Sequence, residues 1–327
     1  MGARGQGRAD PNPTTRDLPR LPGASPSRTD KMRGYTYSEY ATRRVLLSPH
    51  VNLASPFMQW LLIPAGVAIG ALGTLIGVGG GFLLIPLLIY LYDYPPAVVT
   101  GISLTVVLGA SMSGSIAYAR LRRTDYYSAL LFAAAALPGA TLGTYASHFI
   151  PKAVFHGVFG AFLSAAAVWI WVSQRATRDA AAPRTMRDHP RKLTDADGIS
   201  YEYAYSRRLG VGISAAVGFA GSLLGVGGGI ILVPSFVRWL NFPPKVATAT
   251  SQLMVMIYAL SGVALRLSIG SLRGYVDEAA MLLVGAVVGA QIGARLSRRL
   301  RGRMLLRMLA VAVGVVGLQL ILRAFAG

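Results

Sequence analysis

The sequence predicts an all-α, polytopic integral membrane protein built from two homologous halves, and three observations lead to this class. Of the 327 residues, 53% are hydrophobic and 14% are charged, whereas soluble domains carry about 25% charged residues. The apolar residues form charge-free blocks of about 20, the length that crosses a hydrocarbon core. Motifs of the first half also recur in the second half at a nearly constant spacing. This composition excludes a soluble globular enzyme, a disordered protein and a nucleic-acid-binding module.

The net charge of +19 fits a membrane protein better than a nucleic-acid surface. Arginines cluster in short segments between apolar blocks, notably 120–123 and 295–303, as the positive-inside rule describes for cytoplasmic loops. We therefore expect the lipid bilayer and a small substrate as partners, no nucleic acid, and a multi-pass location in the cell membrane. The chain has no cysteine and only four histidines, so we expect no metal site, no cofactor and no catalytic residue.

The chain divides into a tail, two repeats and a linker. Residues 1–56 are basic, rich in Pro, Ser and Gly, and predict a flexible tail. The first repeat, 57–173, and the second repeat, 209–327, flank a polar linker, 174–208, which we expect in the cytoplasm. Each repeat has five apolar blocks, which together predict about eight full spans plus short interrupted segments. The blocks are 57–76, 82–92, 97–119, 126–149 and 153–173, then 209–224, 230–240, 246–267, 279–296 and 304–324.

The two repeats are an internal duplication. The motif G-V-G-G-G at 77–81 returns at 225–229, which is 148 positions later, and 15 of the 44 positions from 77 to 120 are identical to their counterparts without a gap. The motif G-A-x-x-G at 139–143 returns at 289–293. Such agreement requires common descent of the halves, and repeated halves are a frequent plan of secondary transporters.

The short blocks predict the substrate site. Each follows three glycines, contains a proline and is too short to cross the hydrocarbon core as a helix. Non-helical backbone at membrane depth persists only where protein or a watery cavity satisfies it, and the helix start that follows attracts an anion. We predict a substrate site lined by Gly79, Gly80, Gly81, Gly227, Gly228 and Gly229, with Pro86 and Pro234 as hinges and Thr100, Ser103, Thr248, Ser251 and Gln252 as polar ligands. Close helix packing is the competing interpretation for the glycines, as is helix–helix hydrogen bonding for the hydroxyl groups.

The apolar blocks contain no carboxylate at their centres. Asp93, Asp125, Asp277 and Glu278 all lie at block ends, whereas cation and proton pathways usually place an acid inside the membrane. The substrate is therefore expected to be an anion. Arg266 lies near the end of its block, where it could bind the anion or extend to the membrane surface, and we favour the second.

These residues resemble the sulfite exporter TauE/SafE family, also called the toluene sulfonate uptake permease family. The resemblance rests on the doubled G-V-G-G-G, the aromatic-Pro-Pro turns at 94–96 and 242–244, the V-x-T-x-x-S stretches at 98–103 and 246–251, and the doubled G-A-x-x-G. It implies a transporter of sulfite, sulfonates or related organosulfur anions over about 57–324. The long tail and the 35-residue linker depart from the family pattern.

Several alternatives stay open. An anion channel or a non-transport membrane scaffold would share these features, whereas a membrane enzyme lacks a visible acid–base or metal cluster. If all ten blocks cross the membrane, the second half is inverted, and the arginines at 120–123, the linker and the arginines at 295–307 share the cytoplasm. If the short blocks are re-entrant, the halves are parallel and the last cluster lies outside. The positive-inside rule favours inversion.

Overall fold

The computed structural model describes residues 60–176 and 189–326, apart from residues 93, 271, 273 and 301. The predicted tail, 1–56, and much of the linker lie outside these residues. Within the described ranges, ten α-helices follow one another, and each coincides with one predicted apolar block. They are α1 Leu62–Ile76, α2 Gly81–Tyr92, α3 Pro96–Arg120, α4 Tyr126–Ala146, α5 Lys152–Ala176, α6 Arg207–Leu223, α7 Gly229–Arg238, α8 Pro244–Ile269, α9 Val276–Ser297 and α10 Gly302–Ala326.

Local sequence explains where the long helices begin. Pro96 and Pro244 occupy the first positions of α3 and α8, where the missing proline N–H would have no helical partner in any case. Asp125 caps α4, because its side chain accepts a hydrogen bond from the backbone N–H of Ser128. A short 3-10 turn, Ser147–Phe149, continues α4 at its other end.

The linker contains a β-hairpin, so the all-α prediction is incomplete. Strand β1, His189–Thr194, pairs antiparallel with β2, Ser200–Tyr205. Three tyrosines alternate along β2, at 201, 203 and 205, and turn residues separate the strands. This period-two pattern is the sequence signal of a strand, although the segment as a whole has the polar composition of a linker.

The helices of the two halves are exchanged rather than stacked side by side. Helix α1 of the first half packs against α9 of the second, and its counterpart α6 packs against α4. Helix α3 packs against its own counterpart α8, as α5 does against α10. The same set of neighbours therefore occurs twice, as expected if a pseudo-twofold axis relates the duplicated halves.

Helices α3 and α8 run antiparallel at the centre of the molecule. Near the start of α3, the carbonyl of Ala97 accepts from Arg266 near the end of α8. Towards the other end of α3, the carbonyl of Ala110 accepts from Gln252 in the first part of α8. Two helices whose contacts proceed in opposite chain directions lie antiparallel, and here each is the duplicate of the other.

The doubled G-A-x-x-G motif creates close helix contacts. A Cβ atom on Gly289 of α9 would overlap the carbonyl oxygen of Val67 in α1, and a Cβ on Gly139 of α4 would overlap that of Ala215 in α6. Small residues let membrane helices approach until their backbones touch. In these four helices the repeated motif is therefore a packing device.

Four of the described helical segments are long and apolar enough to cross a membrane: Pro96–Arg120, Tyr126–Phe149, Pro244–Ile269 and Val276–Ser297. Shorter apolar segments are Leu62–Ile76, Gly157–Trp169, Gly229–Arg238 and Arg307–Leu318. The prediction of about eight spans thus remains a prediction, although the helical membrane class holds.

The close α1–α9 contact predicts a sharp difference between two glycine substitutions. Gly289→Ala should lower the thermal unfolding temperature of the detergent-solubilised protein, because overpacking costs about 1–3 kcal/mol. Gly212→Ala is the matched control, since a Cβ there meets no atom within 4 Å and alanine favours helix. Equal unfolding temperatures for the two variants would contradict the packing role.

Candidate functional site

Two glycine loops meet at the centre of the bundle. The first glycine loop is residues 77–81 and the second is residues 225–229, and all ten residues are buried. A Cβ on Gly81 would lie 2.8 Å from the carbonyl oxygen of Gly225, and one on Gly229 would lie 2.6 Å from that of Gly77. The loops are therefore in direct contact, backbone against backbone.

Glycine is required in these loops by conformation as well as by space. In the first loop φ is +88° at Gly77, +82° at Gly79 and +90° at Gly80, and the second loop repeats positive values at positions 225, 227 and 228. Other L-residues rarely adopt this region. Close packing, the competing interpretation, accounts for the glycines physically, and substrate lining remains a separate proposal.

The duplicated hydroxyl residues brace the loops across the two halves. Ser103 Oγ of the first half donates to Gly225 O at 2.6 Å, and Ser251 Oγ of the second donates to Gly77 O at 3.0 Å. Thr100 and Thr248 lie against the same loops, because a Cβ on Gly225 would meet Thr100 at 2.7 Å and one on Gly77 would meet Thr248 at 2.8 Å. The structure thus brings these four predicted residues to the two loops.

The start of α2 presents free hydrogen-bond donors to this centre. Among the described residues, no acceptor receives the backbone N–H groups of Gly80, Gly81 or Phe82, whereas Gly80 O already accepts from the next turn. Ser111 Oγ is fully buried and has no hydrogen-bond partner, and it lies 3.0 Å from the Cβ position of Gly79. Free N–H groups, the positive end of a helix and an unpaired hydroxyl together form an anion-binding environment.

The remaining predicted residues lie close by. Gln252 Nε2 is 3.3 Å from Thr74 Oγ1 and 3.4 Å from Ala110 O. Pro86 and Pro234 are buried inside α2 and α7, where each removes one backbone N–H donor from its helix. In the second loop, Tyr258 OH donates to Gly227 O. Within the described part of the chain, no three His, Asp or Glu side chains group as metal ligands.

The expectation that Arg266 extends to the membrane surface is wrong. Its side chain is fully buried and donates to Ala97 O at 2.6 Å, to Thr100 Oγ1 at 2.8 Å and to Ser147 Oγ at 2.8 Å. The acceptors on Ala97 and Thr100 lie near the start of α3. Arg266 therefore joins α8 to α3 instead of reaching lipid headgroups. Burial of arginine requires such hydrogen bonds, because an unpaired buried charge is costly.

An ionic cluster on the hairpin, built around the buried Arg123, was missed by sequence reasoning. Arg123, just past the end of α3, binds Asp195 at 3.2 Å and Asp197 at 2.9 Å, and its side chain is 1% exposed. Asp197 also binds Arg298 at the end of α9. The hairpin turn therefore joins the α3–α4 connection of the first half to the α9 end of the second.

A second ionic contact anchors the body of the hairpin. Arg191 Nη2 of β1 lies 2.7 Å from Asp125 Oδ1, and Tyr203 OH of β2 donates to Asp125 Oδ2 at 2.8 Å. Burial raises the pKa of Asp125, but hydrogen bonds from Arg191, Ser128 and Tyr203 outweigh burial and hold the pKa below its usual 3.8. The charged form of this carboxylate therefore stabilises the docked hairpin.

Comparison with known proteins gives three consistent findings. The chain matches the family model described as Sulfite exporter TauE/SafE over residues 62–320. It is 34% identical over 212 residues to the probable membrane transporter protein YunE of Bacillus subtilis, an alignment of 62% of this chain and 76% of that protein. It is 27% identical over 208 residues to a probable membrane transporter protein of Methanocaldococcus jannaschii, with coverage of 62% and 70%. No solved structure matches it significantly.

The lowered pKa of Asp125 predicts how hairpin docking depends on pH. The contribution is complete above the unfolded pKa near 3.8 and is lost as the pH falls through the lower, folded pKa. Asp125→Asn should therefore unfold at a lower temperature than the wild type at pH 6, and this gap should narrow at pH 3. Thermal unfolding of both proteins across this range measures the gap, and a constant gap would contradict the ionic role.

Proposed function

Because the chain belongs to the sulfite exporter TauE/SafE family, we propose that it carries a small oxyanion, namely sulfite, a sulfonate or another organosulfur anion, across the cell membrane. The family and the names of the relatives indicate a membrane transporter and not an enzyme. Neither relative's name gives a substrate. The choice of an anion is argued from the site itself.

The observation that carries the proposal is the start of α2. Its unpaired N–H groups at Gly80, Gly81 and Phe82 lie in a buried region, where no solvent competes for them. An oxyanion offers several acceptor oxygens to such donors, and the helix dipole favours its charge. A cation would meet the positive end of a helix, with no carboxylate to offset it among the buried residues beside the loop.

We propose that the two halves are inverted repeats with about eight full spans, and that the short helices α2 and α7 also cross, which gives each half five crossings. The antiparallel course of the duplicated helices α3 and α8 supports this orientation. Contacts of Asp197 with both Arg123 and Arg298 also support it, because inversion places these two arginines on one face of the membrane. Parallel repeats would separate them by the thickness of the bilayer.

Transport in this proposal requires the two glycine loops to part. The loops touch here, so an anion bound to the α2 N-terminus has no passage between them. Movement of one half against the other would open the site to each side in turn, as in other transporters built from repeats. The contact between loops disfavours a permanently open channel.

The proposal predicts saturable anion transport that depends on Ser111. In proteoliposomes, Ser111→Ala should reduce sulfite or methanesulfonate transport about tenfold, the effect of losing one hydrogen bond to a charged group. Alanine occupies the corresponding position 259 in the second half, so the fold should tolerate it. Ser268→Ala is the matched control, because this exposed hydroxyl bonds only to its own helix at Ala264 O.

Two results of this assay would contradict the proposal. One is transport of a small cation in preference to the anions. The other is full activity of a well-folded Ser111→Ala protein. Counterflow of labelled anion distinguishes a transporter from an anion channel, because only a transporter exchanges substrate across the membrane against its gradient.

The inverted arrangement predicts a labelling pattern for introduced cysteines. Arg122 and Arg299 are exposed at the end of the molecule that carries the hairpin. Ser268 is exposed near the C-terminal end of α8, at the opposite end of the molecule. An impermeant maleimide added to intact cells should label Ser268→Cys and leave Arg122→Cys and Arg299→Cys unlabelled. The natural chain contains no cysteine, so no background arises. Opposite accessibility of Arg122→Cys and Arg299→Cys would require parallel repeats.

A further inference from the structure

The amide of Gln252 is held in one orientation in the core. The side chain is fully buried, and its Nε2 faces Ala110 O at 3.4 Å. A main-chain carbonyl can only accept a hydrogen bond, so the amide must turn its nitrogen towards it. Oε1 then points away, and no donor reaches it among the described residues.

An unpaired amide oxygen is an expensive feature to keep in a buried position. Packing does not require it, because the counterpart of Gln252 in the first half is Leu104, which is also fully buried. The duplicated framework thus accepts an apolar side chain at this place. The presence of a buried amide at position 252 is therefore not explained by packing alone.

Gln252 flanks the first glycine loop. Its neighbour Ser251 donates to Gly77 O, its own Nε2 approaches Thr74 just before the loop, and its partner Ala110 precedes Ser111. The unpaired Oε1, the unpaired Ser111 hydroxyl and the free N–H groups of α2 thus belong to one side of the centre.

The second loop lacks this combination. The positions that correspond to Gln252 and Ser111 are Leu104 and Ala259, both apolar. Tyr258, where the first half has Ala110, donates to the carbonyl of Gly227 within the loop. The polar lining of a symmetric framework is therefore asymmetric: the unpaired amide oxygen lies beside the first loop, whereas the unpaired group just before the second loop is the Ser222 hydroxyl.

We propose, on the basis of the function proposed above, that the transported anion carries its own N–H or O–H donor and that Gln252 Oε1 accepts it. The oxyanion oxygens would meet the N–H groups at the start of α2. A serine hydroxyl can donate or accept a hydrogen bond, so it can pair with an anion that carries no donor. An amide oxygen only accepts, so it pairs only with an anion that carries a donor. Gln252 is thus the residue that selects anions with a donor over anions of the same shape without one.

A matched pair of anions tests this selection. Sulfamate and methanesulfonate are monoanions of nearly the same shape, and they differ in an NH₂ group against a CH₃ group. The wild-type protein in proteoliposomes should transport sulfamate with a kcat/KM about tenfold higher or more, because a methyl group would leave Oε1 unpaired. The comparison uses the unmodified chain, so no variant has to fold for the test to be decisive.

Substitution of Gln252 assigns the selection to this residue. Gln252→Met keeps the length of the side chain and removes both hydrogen-bonding groups, so the sulfamate preference should fall to about onefold. Gln291→Met is the matched control, since Gln291 Nε2 binds Ser113 O and Oγ and shares neither of the hydrogen-bond partners of Gln252 Nε2. This control should keep the wild-type preference.

The outcomes separate the two proposals. Equal transport of sulfamate and methanesulfonate by the wild type, or an unchanged preference in a folded Gln252→Met protein, overturns the role of Gln252 and leaves anion transport intact. Absence of transport for both anions and also for sulfite and thiosulfate overturns the proposed function itself.

Discussion

The structure depends on how the backbone N–H and C=O groups find hydrogen-bond partners where the chain leaves a helix inside an apolar bundle. Helical backbone satisfies itself, but residues 77–81 and 225–229 interrupt two helices in a buried region, where each unmet polar group is costly. Serines of the opposite half satisfy two loop carbonyls, and Tyr258 satisfies a third. The donors at the start of α2 stay without acceptors among the described residues, and the proposed anion would bind there.

Duplication explains why the same loop arrangement appears twice. The fourth helix of each half packs against the first helix of the other half, and a serine of each half donates a hydrogen bond to the glycine loop of the other. Each half therefore depends on the other for its packing. The halves then differ in a few side chains. Arg266 stands where the first half has Tyr118, and Gln252 stands where it has Leu104. In the proposed transport, the asymmetric side chains would hold the substrate while the symmetric framework lets the two halves exchange roles.

The helices and the duplicated loops could be predicted from the sequence, because apolar length, Pro-Pro starts and glycine motifs are local signals. The hairpin had a local signal too, in its alternating tyrosines, but the polar composition of the linker obscured it. The burial of Arg266 had no such signal, since Ser147 and Thr100 lie 119 and 166 positions away in the chain. The same is true of Arg123, whose acidic partners Asp195 and Asp197 lie 72 and 74 positions away. Sequence spacing indicates which residues share a helix face, and only the packing of helices decides which charges meet.

The most direct test of an anion at the α2 N-terminus is a crystal structure with selenite, whose selenium atom scatters anomalously and whose protonated form carries an O–H donor. The account predicts an anomalous peak between the glycine loops, about 3–4 Å from the N–H groups of Gly81 and Phe82 and from Ser111 Oγ. It also predicts that the loops lie farther apart in that structure than they do here. Peaks confined to the surface arginines near Arg122 and Arg299, with the loops still in contact, would contradict it.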